Sequence, residues 1–338
     1  MTAVSAISST RRRYSAVVNR RSDESYNDYF VRLFEHKEQY GLNCTQIAKL
    51  LNKQNGQNKG ECAYRKEYRA FDRGRQYERS LHERGVATRI LAISDLHVPY
   101  ELPVATFADY RYVDVLVING DLEDCQSISK FQKAYRVPLV DEMVRTRQYL
   151  IKVIDYIRPC KVVITRGNHE DRLLSYMSHK LDSDVLELMP DSPIDLILNT
   201  GFTHRDRLNG TEVFYKPLRA VVDATIAYDG NWWCQIGQTI FAHPKTYSSS
   251  MLKTTEKALD FFLRSGHRFD SIVLAHTHKL GQYVQSGINM YEQGCCCRTE
   301  ELNYADGMLT TPQQKGFMLI CQDKDGNLMP AQTKLVQI

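Results

Sequence analysis

Residues 90–99 read ILAISDLHVP, a run of apolar residues that ends in two side chains able to bind a metal ion. The apolar part has the length and composition of a buried β-strand. Asp95 and His97 follow it two residues apart, and in an extended strand two such side chains point to the same side. The segment therefore predicts a strand that carries part of a metal-ligand shell at its end.

The same pattern recurs at four later apolar runs. They are VLVINGDLED (115–124), VVITRGNHED (162–171), QTIFAHP (238–244) and SIVLAHTH (271–278). The candidate ligands in them are Asp121, Asn168, His243, His276 and His278. A lone DxH pair is usually incidental and a lone histidine is usually structural. An ordered set at the ends of five apolar runs instead favours a metal site, in the usual place for α/β proteins.

The donor types narrow the choice of metal. Carboxylate oxygen together with imidazole nitrogen suits Mn²⁺, Fe or Zn²⁺ better than Ca²⁺. Asp121 follows Gly120, which allows close approach of the backbone, and a carboxylate in that place can bridge two cations. We therefore expect two divalent metal ions, with Mn first and Fe, Zn, Mg and Ni as alternatives.

Residues 88–338 alternate apolar runs of five to eight residues with helical stretches at 140–157 and 251–264, which predicts an α/β domain. Short β-type segments follow at 281–284, 289–293, 316–322 and 328–336. The turn sequence DKDG at 323–326 separates the last two, as in a hairpin.

Residues 23–87 instead predict a small all-α domain. The residues Tyr26, Phe30, Leu33 and Phe34 recur at helical spacing, and Gly41 is a plausible stop. Thr45 can cap a second helix that ends near Gly56, and a third begins near Glu61. Tyr64, Tyr68 and Phe71 give that third helix an apolar stripe.

The third helix also carries a basic stripe formed by Arg65, Arg69 and Arg73. Residues 1–88 hold 17 Lys/Arg and 10 Asp/Glu, a net charge of +7, whereas the rest of the chain, with 27 and 30, has −3. Three short helices with a basic third one resemble a helix-turn-helix module that contacts DNA or RNA. A solvated charged face explains the same pattern, and both interpretations stay open.

Residues 1–22 contain five Ser, five Arg and no acidic residue. That bias is typical of a mitochondrial presequence or of a disordered basic tail, and we favour the tail because no amphipathic face emerges. The nine cysteines include no CxxC pair, which favours a reducing compartment over a disulfide framework. The triplet Cys295–Cys297 is interpreted as small buried residues. We expect a cytoplasmic protein, neither secreted nor membrane-spanning.

The ordered set DxH, GDxxD, GNHE, H and HxH resembles the calcineurin-like metallophosphoesterase superfamily over residues 88–338. The resemblance implies a four-layer αββα sandwich with metals between strand ends of two sheets. It implies one metal held by Asp95, His97, Asp121 and His278, and another held by Asp121, Asn168, His243 and His276. His169 would protonate the leaving oxygen or stabilise transition-state charge. Asp124 would orient His169, although a surface turn residue is an alternative.

Departures and finer features refine the resemblance. Ala275 stands where the last motif usually has glycine, and SDLHVPY and NGDLEDCQS differ from the protein phosphatase branch. His243 has competitors in His204 and His267, although neither follows a clear apolar strand. The segments GNHEDRLLSY and EQGCCCR, and the helical region in front, are similar to a bacteriophage and prophage group. For a phage-encoded chain, the host cytoplasm is the expected location.

The resemblance implies a dinuclear metal phosphoesterase, and the basic N-terminal region favours a phosphodiester of nucleic acid or nucleotide as substrate. A phosphomonoesterase acting on nucleotides or phosphoproteins is one alternative. A nucleic-acid binding protein with an inactive or regulatory phosphoesterase domain is another. The sequence leaves the natural substrate and the oligomeric state open.

Overall fold

A computed structural model describes residues 18–22, 24–130, 136–190, 192–206, 209–250, 252–302 and 313–338. Residues 1–17 of the predicted basic tail lie outside this described part. The chain divides into two compact units, Met1–Arg84 and Gly85–Ile338. Each unit has its own hydrophobic core.

The N-terminal unit contains three helices, α1 (Tyr26–Glu35), α2 (Cys44–Asn55) and α3 (Glu61–Glu83). Each places apolar residues at helical spacing, so that one stripe per helix faces the others. The shared core contains Tyr29, Phe30, Leu33, Phe34, Ile47, Ala48, Leu51 and Tyr64. The predicted helical region in front of the α/β domain is confirmed.

The N-terminus of α2 differs from the prediction. Asn43, and not Thr45, is its capping residue: the Asn43 side chain accepts a hydrogen bond from the Gln46 amide, and the Gln46 side chain accepts one from the Asn43 amide. This reciprocal pair satisfies two backbone donors at once, which a single threonine hydroxyl does not. The Thr45 hydroxyl instead hydrogen-bonds to Glu61 at 2.9 Å.

The predicted end of α2 agrees with the structure, whereas the predicted end of α1 does not. Gly56 has φ +67° and ends α2 as predicted, because a left-handed residue closes a helix with least strain when it is glycine. The prediction that Gly41 ends α1 is wrong, since α1 already ends at Glu35. Gly41, with φ +61°, instead shapes the connection that follows.

The C-terminal unit is an α/β sandwich. In chain order it contains β1 (Thr88–Ile93), β2 (Val115–Asn119), α4 (Leu139–Ile157), β3 (Lys161–Thr165), α5 (Asp171–Ser178), α6 (Ser183–Leu186), α7 (Pro193–Asp195), β4 (Phe202–Arg205), β5 (Glu212–Tyr215), β6 (Thr225–Ala227), β7 (Trp233–Ile236), β8 (Thr239–Ala242), α8 (Lys253–Arg264), β9 (Ser271–Leu274), β10 (Leu280–Gln285), β11 (Ile288–Gln293), β12 (Gly316–Gln322) and β13 (Lys334–Gln337). The predicted α/β class is confirmed.

Two sheets form the centre of this unit. The first has the order β13-β12-β1-β2-β3-β6, and the second has the order β10-β11-β9-β8-β7. In the first sheet β1, β2, β3 and β6 are parallel, and in the second β8, β9 and β11 are parallel. Parallel strands are covered on both faces, which explains why they read as continuous apolar runs in the sequence. A separate hairpin pairs β4 with β5.

The inner faces of the two sheets share one apolar core. Ile90, Val117 and Val163 from the first sheet pack in one cluster with Phe241 and Val273 from the second. On the outer face of the second sheet, α8 contributes Ala258, Leu259 and Phe262 to another cluster, with Ile240, Ile272, Leu274 and Met290. This packing holds the carboxyl ends of strands from both sheets close together.

The C-terminal hairpin is more open than its turn sequence suggests. Gly326 donates a backbone hydrogen bond to Asp323 at 3.1 Å, so the predicted turn forms. The prediction of a strand from Leu328 is wrong, because Leu328 makes an isolated bridge to Gln322 and the paired strand β13 begins at Lys334.

Among the described residues, none of the helices combines the length and the hydrophobicity that a transmembrane span requires.

Substituting Phe262 tests the packing of α8 on the second sheet. Phe262 is fully buried, so Phe262→Ala should lower the free energy of unfolding by about 3–5 kcal/mol. Its neighbour Phe261 is 50% exposed and provides a matched control, for which Phe261→Ala should cost less than about 1 kcal/mol. Urea denaturation measures both values, and equal losses would contradict this account of the core.

Candidate metal centre

The predicted ligands lie at the carboxyl ends of five strands. Asp95 and His97 follow β1, Asp121 follows β2, Asn168 follows β3, His243 follows β8, and His276 and His278 follow β9. Because β1–β3 are parallel in one sheet and β8 and β9 are parallel in the other, each set shares one edge. The two edges meet where His278 Nε2 lies 3.2 Å from Asp95 Oδ1.

The backbone brings Asp95 and His97 together by a route that differs from the prediction. Strand β1 ends at Ile93, and the two residues have φ values of +50° and +45°, in the left-handed region. After β9, His276 and His278 likewise have φ values of +74° and +51°. The expectation that each pair shares one strand face is wrong. Left-handed turns, costly for side-chain-bearing residues, aim these groups individually.

The first cluster contains Asp95, His97 and His278, which can each place a ligand atom within 4.8 Å of the others. The Nε2 atoms of His97 and His278 lie 3.2 Å apart. Asp95 Oδ1 is buried and makes no hydrogen bond within the described residues. Converging nitrogens and a buried carboxylate oxygen fit a divalent cation, which would satisfy all of them at once.

The second cluster contains Asp121, His243 and His276, again within 4.8 Å of one another. His243 Nε2 lies 3.3 Å from Asp121 Oδ2 and 3.3 Å from Asn168 Oδ1. Asp121 also belongs to a third grouping, with His97 and His169. Its carboxylate therefore lies between the first cluster and the second, where the sequence predicts a bridging ligand.

Hydrogen bonds behind the clusters set the tautomer and position of the donors. His243 Nδ1 donates to the Asn119 carbonyl at 2.8 Å, which directs Nε2 at the cluster, where a metal ion would take the place of its proton. The Glu170 carboxylate accepts hydrogen bonds from the backbone amides of Asp121, Leu122 and Gly167 at 2.7–3.1 Å. The loops after β2 and β3 are thus tied to each other beneath the site.

Two glycines make this close packing possible. A Cβ on Gly120 would lie 2.3 Å from His243 Nδ1, and a Cβ on Gly167 would lie 2.1 Å from Asp121 Oδ1. Gly120 also has φ +77°. The expected close backbone approach at Gly120 is present, and the group that it admits is the ring of His243.

His243, and neither of the two alternative histidines, joins the site. His204 lies in the β4–β5 hairpin and contacts Asp141 at 2.6 Å. The His267 ring packs edge-on against Trp233, with centroids 4.7 Å apart. Each of these two histidines therefore has a partner outside the site.

His169 lies beside both clusters and contacts Asp124. Its Nδ1 is 3.2 Å from Asp124 Oδ1, and its Nε2 is 3.7 Å from Asp121 Oδ2. Asp124 is fully buried, which contradicts the alternative that it is a surface turn residue. The Arg172 guanidinium donates to His169 Nε2 at 2.8 Å, so this nitrogen acts as the acceptor and Nδ1 carries the proton.

The charges of the site depend on one another. Burial opposes ionisation of Asp121, but the neighbouring His169 and His243 outweigh burial and hold the pKa of Asp121 well below its usual range. Burial likewise opposes a charged His243, yet Asp121 prevails and raises its pKa to about 9. Burial dominates at His169 and lowers its pKa to about 4, so this ring is neutral at pH 7.

Sequence reasoning missed three residues that support the site: Arg172, Glu170 and Asn119. Arg172 carries a readable signal, because it lies three residues after His169 across the turn that leads into α5, where its amide donates to the His169 carbonyl at 3.0 Å. Glu170 is visible in the GNHE motif, but its bonds to the loop after β2 are tertiary. Asn119 acts through its carbonyl, which no side-chain pattern reports.

Comparison with known proteins agrees with this geometry. The model of the calcineurin-like phosphoesterase family matches residues 88–280, more than half of the 338 residues. The chain belongs to the calcineurin-like phosphoesterase family. Residues 15–82 match the model of the YonJ N-terminal domain. The predicted superfamily is therefore confirmed, as is the likeness to prophage proteins.

Individual similar proteins share little sequence identity with this chain or match only a short part of it. An uncharacterised SPbeta prophage-derived protein, YonJ of Bacillus subtilis (strain 168), is 42% identical over 60 residues, which are 18% of this chain and 15% of that protein. Vacuolar protein sorting 29 from Cryptosporidium parvum is 16% identical, with 75% of this chain and 98% of that chain covered and a TM-score of 0.35. A metallophosphoesterase from Sphaerobacter thermophilus is 14% identical, with 75% and 88% covered and a TM-score of 0.34.

Gly120→Ala tests the packing that positions His243 in this phosphoesterase. The added methyl group would push the His243 ring away from Asp121, so the affinity of the second cluster for a metal ion should fall by at least about tenfold. Gly287 provides the matched control, because its φ is +80° and its Cβ would meet open space. Gly287→Ala should cost about 1–2 kcal/mol of stability and leave metal binding unchanged. Isothermal titration calorimetry with Mn²⁺ measures the metal affinity of the two variants. Equal affinities would contradict this role of Gly120.

Proposed function

We propose that this protein is a dinuclear metal-dependent phosphodiesterase that acts on a nucleic acid or a nucleotide. The observation that carries the proposal is the position of Asp121 between two ligand clusters, one with Asp95, His97 and His278 and the other with His243 and His276. Two adjoining cation positions that share one carboxylate are the arrangement that phosphate-ester hydrolysis uses.

In this proposal each ion has four protein ligands. Asp95, His97, Asp121 and His278 would hold one ion, and Asp121, Asn168, His243 and His276 would hold the other. Mixed oxygen and nitrogen donors suit Mn²⁺, the ion that we propose first, with Fe, Zn, Mg and Ni as alternatives. When bound, the two ions supply a hydroxide nucleophile at neutral pH and bind the phosphate oxygens.

His169 then acts on the substrate from beside the ions. Its ring is held by Asp124 at Nδ1, and its Nε2 faces the space next to Asp121 Oδ2. A neutral ring with a pKa of about 4 holds few protons to donate at pH 7. This favours stabilisation of transition-state charge through the Arg172 guanidinium, which the ring holds at Nε2, over protonation of the leaving oxygen, the other role that the family resemblance implies.

Asp124 and Arg172 hold His169 in its place. His169 Nδ1 donates a hydrogen bond to the Asp124 backbone carbonyl at 3.2 Å, and the Asp124 carboxylate lies equally close, which prevents the ring from turning over. Arg172 donates to the Asp124 carbonyl at 2.5 Å and to His169 Nε2 at 2.8 Å. Its guanidinium therefore places a positive charge beside His169, which would favour binding of the anionic substrate.

The preference for nucleic acid or nucleotide rests on the N-terminal unit. Arg65, Arg69 and Arg73 are exposed along one side of α3, and residues 1–88 carry a net charge of +7. An exposed basic helix attracts phosphate backbones through release of counterions. The prophage origin of the Bacillus relative supports action in a bacterial host cytoplasm.

His169→Ala tests the catalytic assignment. On bis-p-nitrophenyl phosphate with Mn²⁺, the rate should fall by about 10²–10³, because Arg172 loses the ring that positions its charge beside the substrate. His179 is exposed at the end of α5 and provides the control, so His179→Ala should keep wild-type kinetics. Unchanged activity in His169→Ala would contradict the assignment, and no activity in any Mn²⁺-loaded form would leave a regulatory domain as the better description.

The same assay separates the two roles of His169 and the two substrate classes. If His169 donated a proton, its loss would slow an alkyl diester, a poor leaving group, far more than a p-nitrophenyl ester. Charge stabilisation predicts similar losses for both. Parallel kinetics on p-nitrophenyl phosphate test the diester preference, and a higher kcat/KM for this monoester would favour the phosphomonoesterase alternative.

The basic stripe is tested by the triple substitution Arg65→Ala, Arg69→Ala and Arg73→Ala. Binding of a labelled single- or double-stranded DNA or RNA should weaken, and the slope of log affinity against log salt should decrease by about one for each phosphate that the variant no longer neutralises. Lys49→Ala with Lys53→Ala removes two exposed charges on α2 and serves as the control when the effects are compared per charge removed. Equal effects in the two variants would indicate a diffuse basic surface, and no binding by the wild-type chain would remove the argument for nucleic acid.

A further inference from the structure

The cysteine triplet that follows β11 lies directly behind the first ligand cluster. Cys295, Cys296 and Cys297 are fully buried, as expected from the sequence. The backbone is fixed between two other segments, because the Cys296 amide donates to the Ser94 carbonyl at 2.9 Å and the Cys295 amide donates to the Gln314 carbonyl at 3.0 Å. The positions of the three thiols are therefore set by a rigid framework.

The three thiols do not share one environment. The Cys296 thiol donates to the Gly316 carbonyl at 3.3 Å. Cys295 and Cys297 instead join His278, and one ligand atom from each of the three residues lies within 4.8 Å of the others. The three thiols do not converge, as predicted, but two of them meet a histidine.

One ring nitrogen of His278 is available to interact with these thiols. Its Nε2 faces Asp95 Oδ1 and His97 Nε2, each at 3.2 Å, in the first cluster. Its Nδ1 is buried and makes no hydrogen bond to any residue that the structure describes. A buried nitrogen without a partner costs free energy, and a histidine that binds a metal through one nitrogen normally has a partner at the other.

We propose that His278, Cys295 and Cys297 form an additional cation site for a thiophilic divalent ion such as Zn²⁺. One imidazole nitrogen and two sulfurs are soft donors that favour Zn²⁺ over Mg²⁺ or Mn²⁺. Each thiol would release its proton to solvent on binding, and so would His278 Nδ1, so that the ring becomes an imidazolate when Nε2 also holds an ion; Cys295 would give up its 3.4 Å hydrogen bond to the Gln314 carbonyl. Three protein donors leave a fourth tetrahedral position for water.

This site differs from the two metal positions of the proposed hydrolase in its donor atoms and in what a bound ion would do. Only His278 is common to the thiolate site and the first cluster, and it uses a different ring nitrogen in each. An ion on Nδ1 fixes the orientation of the ring that Nε2 presents to Asp95. The thiolate site therefore couples a zinc-type ion to the geometry of the first cluster without contact with substrate.

Cobalt spectroscopy tests the site. The protein, after it has been stripped of metal and loaded with Co²⁺, should show the near-ultraviolet thiolate-to-cobalt charge-transfer band. Oxygen and nitrogen ligands do not produce this band. Cys297→Ser and Cys295→Ser should each weaken this band strongly. Cys296→Ser is the matched control, because Cys296 is equally buried but contacts Gly316, and it should keep the band.

Metal counting gives an independent readout. After dialysis against Zn²⁺, mass spectrometry under native conditions should find one more ion per chain in wild type and in Cys296→Ser than in Cys297→Ser. Absence of the charge-transfer band from wild type, or its retention in both Cys295→Ser and Cys297→Ser, would overturn the proposal. The wild-type spectrum decides even if a serine variant fails to fold. Mn²⁺-supported hydrolysis by Cys297→Ser shows separately whether the phosphoesterase assignment holds.

Discussion

The carboxylate of Asp121 is the group on which the rest of the site depends. It is buried, and its Oδ2 lies 3.3 Å from His243, 3.7 Å from His169 and 3.9 Å from His97. A buried charge is costly unless opposite charges and hydrogen bonds compensate for it, so the His243 ring and the backbone amide of His169, which donates at 2.9 Å, stabilise its ionised form. Gly120 and Gly167 lie next to this group, and a Cβ at either position would collide with His243 or with Asp121 itself.

The sandwich explains how such a group can be held. Each sheet supplies one edge of parallel strands, and the apolar core between the sheets keeps the two edges together. The loops beyond the strands then adopt left-handed backbone at Asp95, His97, Asp121, His276 and His278. Strained conformations cost free energy and persist only where surrounding packing determines them. Their concentration at these residues indicates that the fold sacrifices local stability to aim donors inward.

Particular residues show where reasoning from sequence succeeds. Apolar runs followed by Asp, His or Asn identified the ends of β1, β2, β3, β8 and β9, because parallel strands need two covered faces. Gly56 ended α2 as predicted, since left-handed closure of a helix is a local property. Thr45 was the wrong cap because Asn43 and Gln46 bond reciprocally, and the shared faces expected for the DxH and HxH pairs were wrong because the strands end two residues earlier.

The sequence by itself determined the α/β class, the helical region in front of it and the residue types that can hold metal ions, because periodicity and donor chemistry are local. Only the tertiary structure decided which donors meet. The contact between His278 and Asp95 joins residues 183 positions apart, and the roles of Arg172, Glu170 and the Asn119 carbonyl depend on loops from different strands. It likewise turned Cys295 and Cys297 from space-filling thiols into neighbours of His278, since their distance to that ring is set by packing between β11 and the loop after β9.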